Sequence, residues 1–94
     1  MRAARTDANQ SRIVQVLRKA GVAVTPLHMV GNGCGDILAS FRGIWYVMEI
    51  KDGAKIPSKR KLTTDERDWI DAQHAPVHIV TTEAESLAAV GIKQ

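Results

Sequence analysis

Residues 36–51 read DILASFRGIWYVMEIK, and this stretch decides the fold. Segments 36–41 and 44–50 carry the branched and aromatic residues that strands favour, and Arg42-Gly43 between them suits a tight turn. The stretch therefore predicts a β-hairpin. With a two-residue turn, the pairing runs residue by residue from the turn until Asp36 lies directly opposite Glu49.

This register places three charged side chains together at the open end of the hairpin. Side chains alternate between the faces of a strand, so Asp36, Glu49 and Lys51 share one face. Directly opposite Cβ atoms lie about 4.5–5.5 Å apart, a separation at which two carboxylates repel each other. A divalent cation offsets this repulsion, and hard oxygen ligands suit Mg²⁺ or Mn²⁺. The alternative is that Asp36 only begins a strand, while Glu49 and Lys51 form an ordinary surface pair.

The same three residues suit metal-assisted hydrolysis of a phosphodiester bond. In such a site a cation binds a phosphate oxygen, lowers the pKa of a water molecule and stabilises the developing charge. Asp36 and Glu49 are the predicted ligands, and the backbone carbonyl of Ile50 is a further candidate oxygen. Lys51 is predicted to stabilise the transition state or to position the nucleophile.

The rest of the chain supplies helices and strands around the hairpin. Apolar residues at helical spacing predict a first helix over about 8–20. Thr63 and Glu66 form a capping box that predicts a second helix over about 64–73. The order α-β-β-β-α-β-α indicates an α/β fold, a small mixed β-sheet flanked by helices. The remaining elements are predicted as strands over 22–27 and 77–80 and a last helix from 83 to about 90.

Length and composition limit the class of protein. The 94 residues fit one domain, with residues 1–6 as a flexible tail. No apolar stretch approaches the roughly 18 residues of a membrane span, and the N-terminus lacks the apolar core of a secretion signal. The single cysteine, Cys34, excludes an internal disulfide and a cysteine-rich zinc site, which fits a reducing cytoplasm. We therefore expect a cytoplasmic protein with no membrane association.

Basic side chains cluster between the hairpin and the second helix. The formal net charge is +3 and the sequence pI is about 9.4, which tolerates a polyanionic partner without requiring one. The basic stretch contains a proline and is predicted to be a loop that contacts nucleic-acid phosphates, with simple solvation as the alternative. The residues predicted to bind nucleic acid are Lys55, Lys59, Arg60 and Lys61.

Residues 33–38, GCGDIL, followed by residues 47–53, VMEIKDG, resemble the core of the PD-(D/E)xK nuclease superfamily. More closely, the chain resembles the small stand-alone VRR-NUC-type nucleases of phages and bacteria. The resemblance extends through residues 59–63 and the following helix and includes residues 7–10, so it covers about residues 5–90. The short motif alone is not specific, whereas the full order of elements is.

The resemblance implies a restriction-endonuclease-like α-β-β-β-α-β core, a Mg²⁺ or Mn²⁺ site and endonuclease action on DNA. It matches Asp36 and Glu49 to the metal ligands and Lys51 to the catalytic lysine. In the first helix, Gln10 best matches the acidic or amide residue that faces the metal, with Asp7 as the alternative. Compact stand-alone members resemble Holliday-junction resolvases and tend to dimerise. This implies a homodimer, branched DNA as substrate, and a bacterial or phage-infected bacterial cell.

Two positions depart from the family pattern. The proline before the metal-binding aspartate is Gly35 here, and both residue types shape a turn. The helix-one acid appears as Gln10, and a neutral amide holds a second cation less well than a carboxylate does.

These patterns together predict a metal-dependent endodeoxyribonuclease that is selective for branched or junction DNA. A non-catalytic DNA-binding module would use the same basic loop, but it has no need of paired carboxylates. A third interpretation is a nuclease subunit of a larger DNA-processing complex whose partner supplies helicase or further DNA-binding functions, which the small size allows.

Overall fold

Four strands form one sheet: β1 (Ala23–Pro26), β2 (Ile37–Phe41), β3 (Ile44–Ile50) and β4 (Val77–Val80). The computed structural model describes residues 8–52 and 61–93. The sheet order is β1-β2-β3-β4, in which β1 and β3 run antiparallel to β2, and β4 runs parallel to β3. The predicted small mixed sheet is confirmed.

The hairpin of β2 and β3 has the predicted turn and register. Phe41 faces Ile44, and at the other end Ile37 faces Met48. The two turn residues between the strands have φ of 51° and 83°. These positive values are those of a type I′ turn, whose twist matches the twist of the strands that it joins. A local turn therefore sets which residues face each other at the far end of the hairpin.

Three helices accompany the sheet: α1 (Ala8–Lys19), α2 (Thr64–Asp71) and α3 (Glu83–Ala89). Each begins where the sequence predicts, and each ends one or two residues earlier, a difference typical of helix ends. At α2 the Thr63 hydroxyl accepts a hydrogen bond from the Glu66 amide, and the Glu66 carboxylate accepts one from the Thr63 amide, so the predicted capping box is present. Among residues 8–52 and 61–93, no helix is both long enough and apolar enough to cross a membrane.

Helices α1 and α3 pack on one face of the sheet and form the core with it. In β2, Ile37 and Ala39 are fully buried while Leu38 and Ser40 are half-buried, as alternation along a strand requires. The opposite face is more open, since the side chain of Trp45 keeps 71% of its surface exposed. The core residues are Ile13, Val14, Leu17, Val22, Ile37, Ala39, Met48, Ile50, Val80, Leu87 and Val90.

A glycine loop before β2 brings α2 to one end of the sheet. A Cβ atom on Gly33 would lie 2.2 Å from the Asp65 carbonyl oxygen, so the loop backbone packs directly on the first turn of α2. A Cβ atom on Gly35 would lie 2.7 Å from Cγ1 of Val47. Gly35 is therefore required by the close approach to β3 rather than by a positive φ. The loop thus fixes the start of β2 and the first turn of α2 side by side.

Candidate active site

Asp36 is held through both its backbone and its carboxylate. Its amide donates to the Met48 carbonyl and its carbonyl accepts from the Leu27 amide, each at 2.8 Å. Its Oδ2 accepts a hydrogen bond of 2.6 Å from the Ile50 amide. The sequence placed Asp36 as the first residue of the strand, whereas it lies just before β2. Ile50 lies beyond the last pair of residues that β2 and β3 form at this end, Ile37 and Met48. Its amide therefore donates to the Asp36 side chain instead of to a backbone carbonyl of β2.

The Ile50 carbonyl faces the same side of β3 as Asp36. In a strand, the N–H and C=O groups of one residue point toward the same neighbour. The Ile50 amide points to Asp36, while the amide of the next residue, Lys51, donates to the Val80 carbonyl of β4 at 2.9 Å. The predicted carbonyl oxygen is therefore oriented toward the acidic pair.

Glu49 lies across from Asp36 and is almost completely buried. The carboxyl groups of Asp36 and Glu66 are its acidic neighbours, and the residue keeps 2% of its surface exposed. Burial, reinforced by the negative charges of Asp36 and Glu66, raises the pKa of Glu49 from 4.5 to about 9. In the absence of a cation, Glu49 therefore keeps its proton at neutral pH and has one O–H that can donate to a neighbouring carboxylate.

The ionised form of Asp36 is also disfavoured. Burial raises the pKa of Asp36, and the hydrogen bond from the Ile50 amide and the adjacent Glu49 carboxyl group oppose this shift. Two carboxyl groups this close, in a place with little water, do not ionise together without a compensating positive charge.

Lys51 reaches two carboxyl groups at once. Its Nζ lies 2.7 Å from Glu66 Oε1 and 3.7 Å from Glu49 Oε2, and its side chain is 15% exposed. Burial by itself lowers the pKa of Lys51, but the contacts with Glu66, Glu49 and Asp36 outweigh burial, and the net shift is upward. Lys51 is therefore a cation at neutral pH, and a small part of its side chain remains accessible from outside.

Glu66 is the functional candidate that sequence reasoning missed. We predicted it only as a helix cap, a role that it has. Its Oε1 also accepts from Lys51, and the Lys51 ammonium with the Thr63 amide lowers the pKa of Glu66 although burial opposes them. The capping box indicated that this carboxylate turns back over the start of α2. No sequence pattern indicated that the start of α2 lies beside Lys51.

Asn9 is a second residue that sequence reasoning missed. Its Nδ2 donates to the Lys51 carbonyl at 2.8 Å and to the Thr81 carbonyl at 3.1 Å, and the residue is 4% exposed. One buried amide thus ties together the ends of β3 and β4 where both strands leave the sheet. The sequence resemblance pointed to the neighbouring Gln10 instead.

The remaining predicted site residues have different outcomes. Gln10 is buried in α1 and lines a depression of about 230 Å³ that also includes Arg18 and His28. Lys61 is exposed at the start of the second described segment. Within residues 8–52 and 61–93, no group of three or more His, Cys, Asp or Glu side chains is arranged to hold a metal ion. Four predicted residues lie outside the described residues: Asp7, Lys55, Lys59 and Arg60.

The fold is similar to that of a solved structure. A structure described as a VRR_NUC domain aligns with a TM-score of 0.59 over 89% of this chain and 96% of its own, at 21% sequence identity. The chain has the fold of a VRR_NUC domain. The restriction-endonuclease-like fold that the sequence resemblance implied is thereby confirmed. No protein-family model matches the sequence, and no curated protein matches it.

Proposed function

We propose that this protein is a Mg²⁺- or Mn²⁺-dependent endonuclease that hydrolyses DNA phosphodiester bonds, with Asp36, Glu49 and Lys51 as its catalytic residues. The observation that carries the proposal is the pair of carboxyl groups at one end of the sheet, Glu49 buried and Asp36 half-buried, with the Lys51 ammonium 3.7 Å from Glu49. Burying two mutually repelling acids costs stability, and such perturbed groups are concentrated at functional sites.

A hard divalent cation fits the oxygen donors of this site. Asp36 and Glu49 offer carboxylate oxygens, and Ile50 offers a carbonyl oxygen on the same side of β3. Mg²⁺ in enzymes commonly binds one or two carboxylates and takes its other ligands from water and substrate phosphate. A bound cation would favour the ionised form of Glu49, whose pKa burial otherwise raises to about 9. When bound, the cation polarises a phosphate oxygen and acidifies a water molecule.

The protein side chains orient the scissile phosphate and stabilise its charge. The Lys51 ammonium, partly open to solvent, binds a non-bridging phosphate oxygen and stabilises the negative charge that grows there in the transition state. Asp36 is prevented from rotating by its 2.6 Å hydrogen bond with the Ile50 amide, so its second oxygen keeps a fixed direction. This preorganisation lowers the entropic cost of assembling the reacting groups.

The proposed substrate is DNA, and two further features are proposed with it. The basic residues around Lys61 would supply phosphate contacts that weaken as salt rises. By analogy with the compact VRR-NUC nucleases that the sequence resembles, we propose a homodimer that acts on branched DNA. The VRR_NUC fold supports a nuclease-type domain, and the choice of branched DNA is left to experiment.

The test is cleavage of linear duplex, flap and four-way-junction DNA of matched sequence, each with Mg²⁺, Mn²⁺, Ca²⁺ or EDTA. We expect products with Mg²⁺ or Mn²⁺, none with EDTA, and faster cleavage of the junction. Asp36→Asn and Glu49→Gln, purified identically, should bind DNA in EDTA but not cut it, and they also control for contaminating nucleases. Binding without cleavage under every cation would overturn the proposal and favour a non-catalytic DNA-binding module.

A further inference from the structure

We propose that Glu66 is the positioning residue for Lys51, and that it holds the lysine away from the carboxylate that the cation requires. This inference rests on the proposed nuclease function and deepens it. Its basis is the unequal placement of one ammonium between two carboxyl groups of different elements, Glu49 on β3 and Glu66 on α2.

The distances show which carboxyl group holds the lysine. At 2.7 Å, the contact between Lys51 Nζ and Glu66 Oε1 is a charge-assisted hydrogen bond. At 3.7 Å, the contact with Glu49 Oε2 is longer than a hydrogen bond. If Glu66 were absent, Glu49 would be the carboxyl group left within reach of this ammonium. A lysine bound there would compete with a cation for the same oxygen.

Glu66 is itself fixed, so it can fix the lysine. The same Oε1 that binds Lys51 also accepts from the Thr63 amide at 2.8 Å, which locks the side chain over the first turn of α2. That turn is packed on the glycine loop at Gly33. The main chain of Lys51 is held separately by Asn9. The lysine is therefore constrained at its backbone by α1 and at its tip by α2.

A helix cap alone explains part of this arrangement, and the chain offers a matched control for that part. Thr63→Ala removes the hydroxyl that caps the Glu66 amide but leaves the Lys51 contact in place. Glu66→Ala removes the other half of the capping box, the oxygen that accepts from the Thr63 amide, together with the lysine contact. Glu66→Gln keeps an oxygen that can accept from both donors but loses the charge. Comparison of the three variants separates capping from positioning.

We expect kcat to fall in the variants that weaken the contact between Glu66 and Lys51, and only in those. Glu66→Ala should lower kcat by about 10–100-fold, the usual effect of removing a group that orients a metal-site residue, with KM for DNA little changed. It should also raise the Mn²⁺ concentration needed for half-maximal rate. Glu66→Gln should recover roughly half of the loss on a logarithmic scale, because a neutral acceptor is about half as strong. Thr63→Ala should lose thermal stability through its half of the capping box but keep the wild-type kcat.

A second measurement tests the inference independently of cleavage. In metal-free protein with ¹³C-labelled lysine, the ε-methylene of Lys51 should be as ordered as the backbone in the wild type and in Thr63→Ala. In Glu66→Ala its chemical shift and order should change. If the wild type cuts no DNA, the proposed function fails while this measurement still decides the inference. Three results would each overturn it: an unchanged Lys51 signal in Glu66→Ala, equal kcat in Glu66→Ala and Thr63→Ala, or no recovery in Glu66→Gln.

Discussion

The two ends of the β2–β3 hairpin are built from the same strands but are stabilised in opposite ways. At the turn, Arg42 and Gly43 are exposed, and the nearby side chain of Trp45 is 71% exposed. At the other end, Glu49 is 2% exposed and the site is enclosed by contacts from α1, α2 and the glycine loop. The turn end needs only local conformational preference. The site end requires tertiary contacts to hold acidic groups that disfavour each other.

The difference between the two ends explains how the structure can hold two acidic groups that destabilise the fold. The turn sets the register without help from the rest of the chain, and that register carries Asp36 and Glu49 together over the length of both strands. Helix caps, the glycine loop and Asn9 then hold the acidic pair in place. Variants placed at the two ends should therefore have unequal effects.

The largest contrast is expected for two charge-removing substitutions. Lys51→Ala should lower kcat about 1,000-fold, the upper range for losing one group that stabilises transition-state charge, with DNA affinity within a few-fold. Arg42→Ala removes the same charge at the turn end and should leave kcat almost unchanged. Single-turnover cleavage and DNA binding in EDTA measure both quantities. An equal loss of affinity and turnover in Lys51→Ala would show that the lysine is mainly a phosphate anchor.

Two glycines with similar backbone angles offer the next contrast. Gly33 and Gly43 have φ of 78° and 83°, so alanine is strained at both positions by about 1–2 kcal/mol. Only at Gly33 would the new Cβ meet backbone atoms, at 2.2 Å from Asp65 O, whereas nothing lies within 4 Å at Gly43. Gly33→Ala should therefore destabilise the protein by about 3 kcal/mol or more, as severe steric changes do. Urea unfolding of both variants measures the difference, and equal losses would contradict close packing of the loop on α2.

The pH dependence of stability should also trace to the site end. The pKa of Glu49 is about 9 in the folded protein and 4.5 ordinarily, so between these values the folded state binds more protons than the unfolded state. The free energy of unfolding in EDTA should therefore fall as pH rises through this window, by at most about 1.4 kcal/mol per pH unit.

Two controls accompany the pH measurement. Glu49→Gln should flatten the slope, and Arg42→Ala should leave it unchanged. Saturating Mn²⁺ should also flatten it, because a cation bound to the ionised pair removes the advantage of the protonated form. Unfolding followed by circular dichroism across this pH range provides the measurement. A stability that rises with pH in EDTA would contradict the buried, protonated state of Glu49.

The smallest effect is expected at the exposed tryptophan. Trp45→Thr keeps a residue suited to a strand and removes a ring that is 71% exposed, so the free energy of unfolding should change by less than about 0.5 kcal/mol. Calorimetric or urea unfolding at several protein concentrations measures this. A large, concentration-dependent loss of stability would place Trp45 in an interface between subunits.

The elements that could be predicted are those whose causes lie close together in sequence. The register of the hairpin followed from Arg42-Gly43, because a two-residue turn leaves one pairing for the flanking strands. The start of α2 followed from Thr63 and Glu66, because a capping box is complete within four residues. The bounds that differ lie at the ends of elements, such as the end of α2 at Asp71 rather than at 73 and β1 over Ala23–Pro26 rather than 22–27.

The sequence by itself determined that Asp36 faces Glu49 and that Lys51 follows on the same side, because strand alternation and a local turn act through neighbouring residues. Only the tertiary structure decided that Glu66 holds the tip of Lys51 and that Asn9 holds its main chain. These contacts join residues 15 and 42 positions apart. They exist because the sheet brings the start of α1, the end of β3 and the start of α2 to one place, which no local pattern in the chain encodes.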